Sequence, residues 1–266
     1  MFEQHFGMKF NPFDKEVSSS DLYASNDLKE LDSRLKYMTV NRGIFLLVGE
    51  PGSGKTSMLR RLSEGLGPSL FKPFYFSLTT LTVNDFYSSL ALLLGEQPRY
   101  RKIDMYHQIQ SAIMTLYFEQ RITPVIIADE MHMASSSILD DIRMLFNFKM
   151  DSVNPFVLII AGQPSIRNKL ALNMGLPLKQ RITSKYSMKG LSLQETCEYI
   201  KSRLALSGVV SDVFTDQALA NIHSSSSGFP RNINNIATAC LMYCAWKDLD
   251  SVDEEAVYQA NIELAV

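Results

Sequence analysis

The chain has 266 residues, with 26 lysines and arginines against 28 aspartates and glutamates, and 46% hydrophobic against 20% charged residues. This length and balance belong to one large or two small globular domains, and they exclude bulk disorder and a fold that depends on disulfide staples. The formal net charge of −2 excludes a surface coated in basic residues but leaves a local basic patch open.

No apolar run approaches the roughly 18 residues of a membrane helix. The first thirteen residues mix Glu3, His5 and Lys9 with aromatics, unlike the apolar centre of a signal peptide. Cys240 and Cys244 lie four apart in a helical pattern, with no Cys or His pair nearby at zinc spacing, so they are expected as small core residues. A reduced, soluble, cytoplasmic protein without a membrane partner is expected.

Residues 1–25 hold the turn Phe10-Asn11-Pro12-Phe13 and a Ser18–Asp21 loop. Asn26 is expected to cap a helix that carries Leu28, Leu31, Leu35 and Met38 on one face. Ile44–Val48 is an uninterrupted apolar run, the pattern of a parallel strand covered on both faces, and it leads through Gly49 into a helix from Lys55 to about Leu66. Pro73–Leu78 reads as a second strand and Val83–Leu94 as a helix. Gly95–Lys102 reads as a basic loop and Asp104–Gln120 as a helix. Pro124–Asp129 is the expected third strand, Ser137–Phe148 a helix and Phe156–Ala161 the fourth strand.

Beyond Gln163 the pattern changes. Gly175-Leu176-Pro177 punctuates, Tyr186–Met188 reads as a short edge strand and Ser224–Ser227 as a polar loop. Gln194–Ser207, Thr215–Ser224, Arg231–Lys247 and Asp253–Leu264 read as helices. Alternating strands and helices followed by helices alone mean an α/β domain and a small helical domain. The expected division is an N-terminal segment at 1–25 near the nucleotide site, an αβα core at 26–191 and a helical lid at 192–266.

Gly49-Glu50-Pro51-Gly52-Ser53-Gly54-Lys55-Thr56, followed by Ser57, fits G-x-x-x-x-G-K-[ST] between a strand and a helix. Glycines let backbone amides turn inward around phosphates, and the helix that follows presents its positive end to them. Lys55 then reaches the β/γ-phosphates and Thr56 binds Mg²⁺. The specified positions arise by chance in a chain of this size on the order of one time in a hundred or less. Val125–Asp129 is an apolar strand that ends in Asp129 and Glu130. Such an end alone is weak, but behind a P-loop it reads as a Walker B pair, with Asp129 on Mg²⁺ and Glu130 polarising the attacking water.

Further stretches extend the pattern: Phe10-Asn11-Pro12-Phe13, Arg42-Gly43, Asp129-Glu130-Met131-His132, Ala161-Gly162-Gln163-Pro164, Gln180-Arg181-Ile182 and Gly228-Phe229-Pro230-Arg231-Asn232-Ile233. With them the chain resembles an AAA+ ATPase, and within that superfamily the group of ExeA-type ATPases and TnsC-like regulators of DNA transposition. The resemblance implies a P-loop NTPase fold, a three-layer αβα core with a parallel sheet and a helical lid, and ATP and Mg²⁺ as its bound groups. It places Gln163 as sensor 1, Arg181 as an arginine finger for a neighbouring subunit, with Arg167, Lys169 and Lys179 as competitors, and Arg231 as sensor 2. It also makes Tyr23 and Phe13 candidates for stacking on adenine, against the alternative that both are core aromatics. His132 has no assigned role, and Arg143 is expected to pair with carboxylates at helical spacing.

Arg99-Tyr100-Arg101-Lys102 is either a solvated loop or a track for a phosphate backbone, with Lys72 and Lys149 as weaker DNA candidates. TnsC-like proteins take their channel-lining residues from this part of the ATPase domain. The leading expectation is a transposition regulator that assembles head-to-tail, as a ring or filament, on double-stranded DNA, presents it to a transposase and its target selector, and disassembles on hydrolysis. The alternative is the ATPase of a secretion apparatus, as in ExeA proteins, which continue into a membrane segment and a cell-wall-binding domain. A chain ending at Val266 is expected to favour the first, and to leave no room for the winged helix of a replication initiator or the extension of a helicase loader. An idle binding module is disfavoured by Lys55, Asp129 and Glu130.

Overall fold

A computed structural model describes residues 2–77, 82–150, 152–172 and 175–265. The chain divides into two compact units. One comprises Glu30–Pro51 and Lys55–Met188; the other comprises the residues up to Lys29, Gly52–Gly54 and the residues from Lys189 onward.

The first unit is a parallel sheet of five strands among the described residues, in the order β2-β3-β4-β1-β5: β1 (Gly43–Val48), β2 (Phe71–Ser77), β3 (Thr123–Asp129), β4 (Val157–Gly162) and β5 (Ile182–Ser187). β1, β3 and β4 are buried along their whole length, which explains why they read as unbroken apolar runs. Side chains alternate between faces. Ile44, Leu46, Val48, Ile126, Ala128, Leu158 and Ile160 face one apolar layer, shared with α4 (Val83–Leu93), α5 (Lys102–Met114), α6 (Ser136–Leu145), α7 (Ser165–Ala171) and α8 (Leu176–Arg181). Phe45, Leu47, Val125, Ile127, Ile159 and Ala161 face the other, against α2 (Asn26–Asn41) and α3 (Lys55–Gly65). This is the three-layer αβα arrangement expected of a P-loop NTPase. Pro73 is tolerated because β2 is an edge strand.

The second unit is helical: α1 (Phe2–His5), α9 (Leu193–Leu206), α10 (Asp216–Ser226), α11 (Pro230–Lys247) and α12 (Glu254–Leu264) share one apolar core. Cys240 and Cys244 lie within it, and burial pushes their thiols up to about 12 and about 11. Phe13 is buried in the same core, edge-on to Phe214, so of its two readings the core aromatic is the one observed. No helix among the described residues is long and apolar enough to cross a membrane.

Several expectations are corrected. Asn26 is the first helical residue, and Ser25 does the capping, its hydroxyl accepting from the Leu28 amide at 3.2 Å. α5 begins at Lys102 rather than Asp104 and closes in a π-helical turn, Thr115–Glu119. α6 stops at Leu145, and Phe148 instead bridges to Val153. Residues 164–181 hold the short helices α7 and α8, which were not expected. β5 spans Ile182–Ser187 rather than Tyr186–Met188 alone, because its half-buried and exposed positions along an edge leave only a weak apolar pattern. Ser224–Ser226 continue α10, and the chain leaves the helix at Ser227 (φ 53) and Gly228 (φ 72). The expected strand end at Leu78 lies outside the described residues.

α9 opens with a reciprocal capping box. The Ser192 hydroxyl accepts from the Glu195 amide, the Glu195 carboxylate accepts from the Ser192 amide, and its other oxygen accepts from the Asn26 amide at 2.7 Å. Ser192→Ala is expected to cost about 1 kcal/mol of stability, read as a lower urea midpoint with the slope unchanged.

Candidate active site

All five strands run the same way, so their carboxyl ends form one edge, where open α/β sheets bind ligands. Gly49 follows β1, Glu130 follows β3 and Gln163 follows β4 on that edge. β1 and β4 are locked in register up to Val48↔Gly162, and the Gly49 amide donates to the Gly162 carbonyl at 3.2 Å.

The loop from Gly49 to Gly54 turns back on itself. Gly52 (φ +78) and Gly54 (φ +93) adopt left-handed conformations that a side chain disfavours. Lys55 is buried, and its ammonium donates to the Gly49 carbonyl at 2.8 Å and the Glu50 carbonyl at 3.0 Å. The lysine therefore closes the loop around its own amino group, at the start of α3. Ser57 is half-buried two residues further along that helix.

Side-chain alternation along β3 puts Asp129 on the same face as Val125 and Ile127, the face covered by α3. The Thr56 hydroxyl donates to Asp129 Oδ2 at 3.0 Å, across a separation of 73 positions in sequence. Asp129 is buried, and the Tyr75 hydroxyl donates to the same oxygen at 3.3 Å, while the Glu130 amide donates to Oδ1 at 2.8 Å. Burial and the neighbouring Asp129 carboxylate push the Tyr75 phenol above its ordinary value. A buried carboxylate and a hydroxyl in contact are a hard-oxygen donor pair, which fits Mg²⁺ held by few protein ligands and several waters. Tyr75 was missed from sequence; the signal available was its place two residues before the end of the strand beside β3.

Glu130 lies at φ 56, ψ 27, and this left-handed turn starts the 3-10 turn Met131–Met133. Its Oε2 is 3.4 Å from His132 Nδ1. Gln163 is half-buried at the start of the turn into α7. Arg181, at the end of α8, donates from Nη1 to the Arg143 carbonyl at 2.6 Å; burial and the nearby Arg143 charge hold its guanidinium below the ordinary value. Of its competitors, Lys169 is committed to the His132 and Ala134 carbonyls, Arg167 donates to the Ser187 hydroxyl, and Lys179 is exposed two residues before Arg181. Arg143 pairs with Asp140 at 2.9 Å, as its helical spacing predicts.

In the other unit, the Arg231 amide donates to the Gly52 carbonyl at 3.2 Å at the start of α11. Tyr23 donates to Glu198 at 2.6 Å and meets Tyr199 edge-on; burial and that carboxylate raise its phenol. In the basic loop, Arg101 forks onto Asp104 at 2.9 and 3.3 Å. Lys102 pairs with the buried Asp141 at 2.6 Å over the Tyr87 ring. Two of the three cations are thus committed to local carboxylates, and Arg99 is exposed. Lys72 and Lys149 are exposed too, over the Phe74 and Phe118 rings.

The family described as AAA domain matches residues 38–170, half of the chain, a span that holds the P-loop, Asp129, Glu130 and Gln163. The chain belongs to the AAA family. It is 30% identical, over 91% of its length, to General secretion pathway protein A of Aeromonas hydrophila, and spans 44% of that relative. Its fold is similar to that of Cdc6p from Pyrobaculum aerophilum (TM-score 0.64, 15% identity, 98% of this chain and 70% of that one). It is similar also to Drosophila ORC bound to DNA (TM-score 0.66, 17% identity, 100% of this chain and 66% of that one). An AAA+ ATPase of the ExeA-like group, as expected from the motifs, is what these comparisons support.

A Cβ added at Gly52 would lie 2.7 Å from the Arg231 Cβ, on a backbone already at positive φ. Gly52→Ala is therefore expected to weaken binding of a fluorescent ATP analogue at least tenfold while far-UV circular dichroism stays parental.

Proposed function

We propose that the chain hydrolyses ATP with Mg²⁺ and uses the nucleotide state to switch a head-to-tail self-assembly. The contact between Thr56 and Asp129 carries this reading, because it joins the P-loop to the acidic strand end next to Glu130. The β/γ-phosphates displace the Gly49 and Glu50 carbonyls from Lys55, whose charge then meets the phosphate oxygens. Thr56 and Asp129 would hold Mg²⁺, which supplies charge neutralisation at those oxygens. Glu130 orients the water for in-line attack on the γ-phosphate, Gln163 and Arg231 bind the nucleotide, and Tyr23 covers the base. Arg181 completes the site of a neighbour, which requires its bond to the Arg143 carbonyl to open or be shared, and so ties catalysis to assembly.

Two services fit this switch. The similarity to General secretion pathway protein A favours work for a secretion apparatus. The resemblance to TnsC-like regulators, with a chain of like fold bound to DNA, favours assembly on double-stranded DNA to present a target to a transposase, with exposed Arg99 as the first contact to test. Duplex DNA that raises phosphate release and produces rings or filaments in electron micrographs supports the DNA service; parental turnover and no assembly on DNA sinks it.

Lys55→Ala is expected to abolish nucleotide binding, and Glu130→Gln to trap the ATP-bound assembly with turnover reduced at least a hundredfold. EDTA should stop phosphate release and Mg²⁺ restore it. Parental turnover by Lys55→Ala would overturn the site. Arg99→Ala is expected to weaken duplex binding and lower its salt slope by about one.

A further inference from the structure

The Met131–Met133 turn is held from several sides. Met131 and Ala134 are buried in the apolar layer beneath α6 and α7. The Lys169 ammonium, reaching from α7, takes the His132 and Ala134 carbonyls at 2.5 and 2.7 Å. On the strand side, β4 comes so close that a Cβ on Gly162 would lie 3.0 Å from the His132 amide nitrogen.

With its backbone so fixed, the His132 side chain is 10% exposed and has little choice of direction. Nδ1 is buried and makes no settled hydrogen bond among the described residues. A ring nitrogen in that position is expensive to leave without a partner. The polar group it faces is Glu130 Oε2, 3.4 Å away, on a side chain 39% exposed and so free to rotate. That separation exceeds the about 2.7–3.2 Å of a formed N–H···O bond, and a small rotation of the carboxylate closes it.

We propose that His132 is a positioning residue for Glu130: its Nδ1–H donates to Oε2 and sets the direction in which the other carboxylate oxygen meets the attacking water, while Lys169 holds the turn that aims the ring. This rests on Glu130 as the water-orienting group. The left-handed turn at Glu130 breaks the strand and starts a tight turn in which residues 130 and 132 meet, a contact that a continuing helix does not give to positions two apart.

The test compares His132→Ala with His132→Asn, whose side-chain amide places an N–H near the position of Nδ1. Phosphate release is measured with and without duplex DNA, alongside ATP-analogue affinity and the thermal midpoint. His132→Ala is expected to lower kcat roughly tenfold, with KM within about twofold and the midpoint near parental. His132→Asn recovers most of the rate. Under single-turnover conditions His132→Ala slows Glu130→Gln no further. Parental kcat in His132→Ala, equal losses in the two variants, or a loss that tracks the thermal midpoint would each overturn the proposal. Should His132→Ala fail to fold, His132→Asn against the longer His132→Gln decides, with Asn expected faster. Independently of turnover, ¹⁵N imidazole spectra of the parent are expected to show the Nδ1–H form of His132, perturbed by Glu130→Ala; the Nε2–H form, or no perturbation, counts against it. Glu130→Gln turning over at the parental rate would instead remove the base assignment itself.

Discussion

The bond between Thr56 and Asp129 is the constraint on which the rest of the site depends. One partner is the second residue of α3 and the other the last residue of β3, so they meet only if the sheet order, strand direction and side-chain face are all correct. A one-residue slip of β3 would send Asp129 to the opposite layer and Glu130 toward α3. The apolar residues on both faces of β1, β3 and β4 oppose that slip, since it would exchange the side chains packed into each layer. One buried Val, Leu or Ile contributes about 1.5–3 kcal/mol, as much as a hydroxyl–carboxylate bond at its strongest, and the strands bury many such side chains against the single bond. Core packing positions the polar pair; the pair does not position the core.

The same ordering explains how Lys55 can be buried. An unpaired ammonium taken out of water is costly, so the loop supplies two of its own carbonyls. That arrangement needs the tight curl that Gly52 and Gly54 provide through positive φ. These two carbonyl dipoles stabilise the buried charge. A carbonyl dipole is a weaker partner than a phosphate, so the lysine is held in place yet remains available to an anion.

The P-loop and the acidic strand end were legible in sequence because each is local: a short motif, or an apolar run with two carboxylates at its close. The alternation of strands and helices was legible for the same reason, since buried parallel strands are bare apolar runs. What escaped notice depends on partners distant in sequence. β5 is half-exposed and polar, so its pattern is weak, and it forms by pairing with β1. Tyr75 is an ordinary strand aromatic until β2 aligns Ser77 with Asp129. Lys102 reads as part of a phosphate-binding run because its partner Asp141 comes from another helix, while Arg101 turns to Asp104 only once α5 sets their i,i+3 spacing.

Helices α7 and α8, also unread in the sequence, take on their meaning from what they touch. α7 leaves the sheet directly after Gln163, and its Lys169 clamps the turn behind Glu130. α8 follows, and its last residue, Arg181, is tied to the end of α6 through the Arg143 carbonyl. Gln163 at the end of β4, the turn behind Glu130 and Arg181 are thus joined by two short helices and three cation–carbonyl contacts. Such contacts are strong enough to hold geometry and weak enough to exchange, because a carbonyl releases a cation more readily than a carboxylate does. A shift of Arg181 toward another subunit would pull on α8, then on α7, whose Ile166 and Leu170 pack in the same apolar layer as Leu178 of α8. Packing and hydrogen bonds thus connect Arg181 to the turn behind Glu130 through α8, α7 and Lys169.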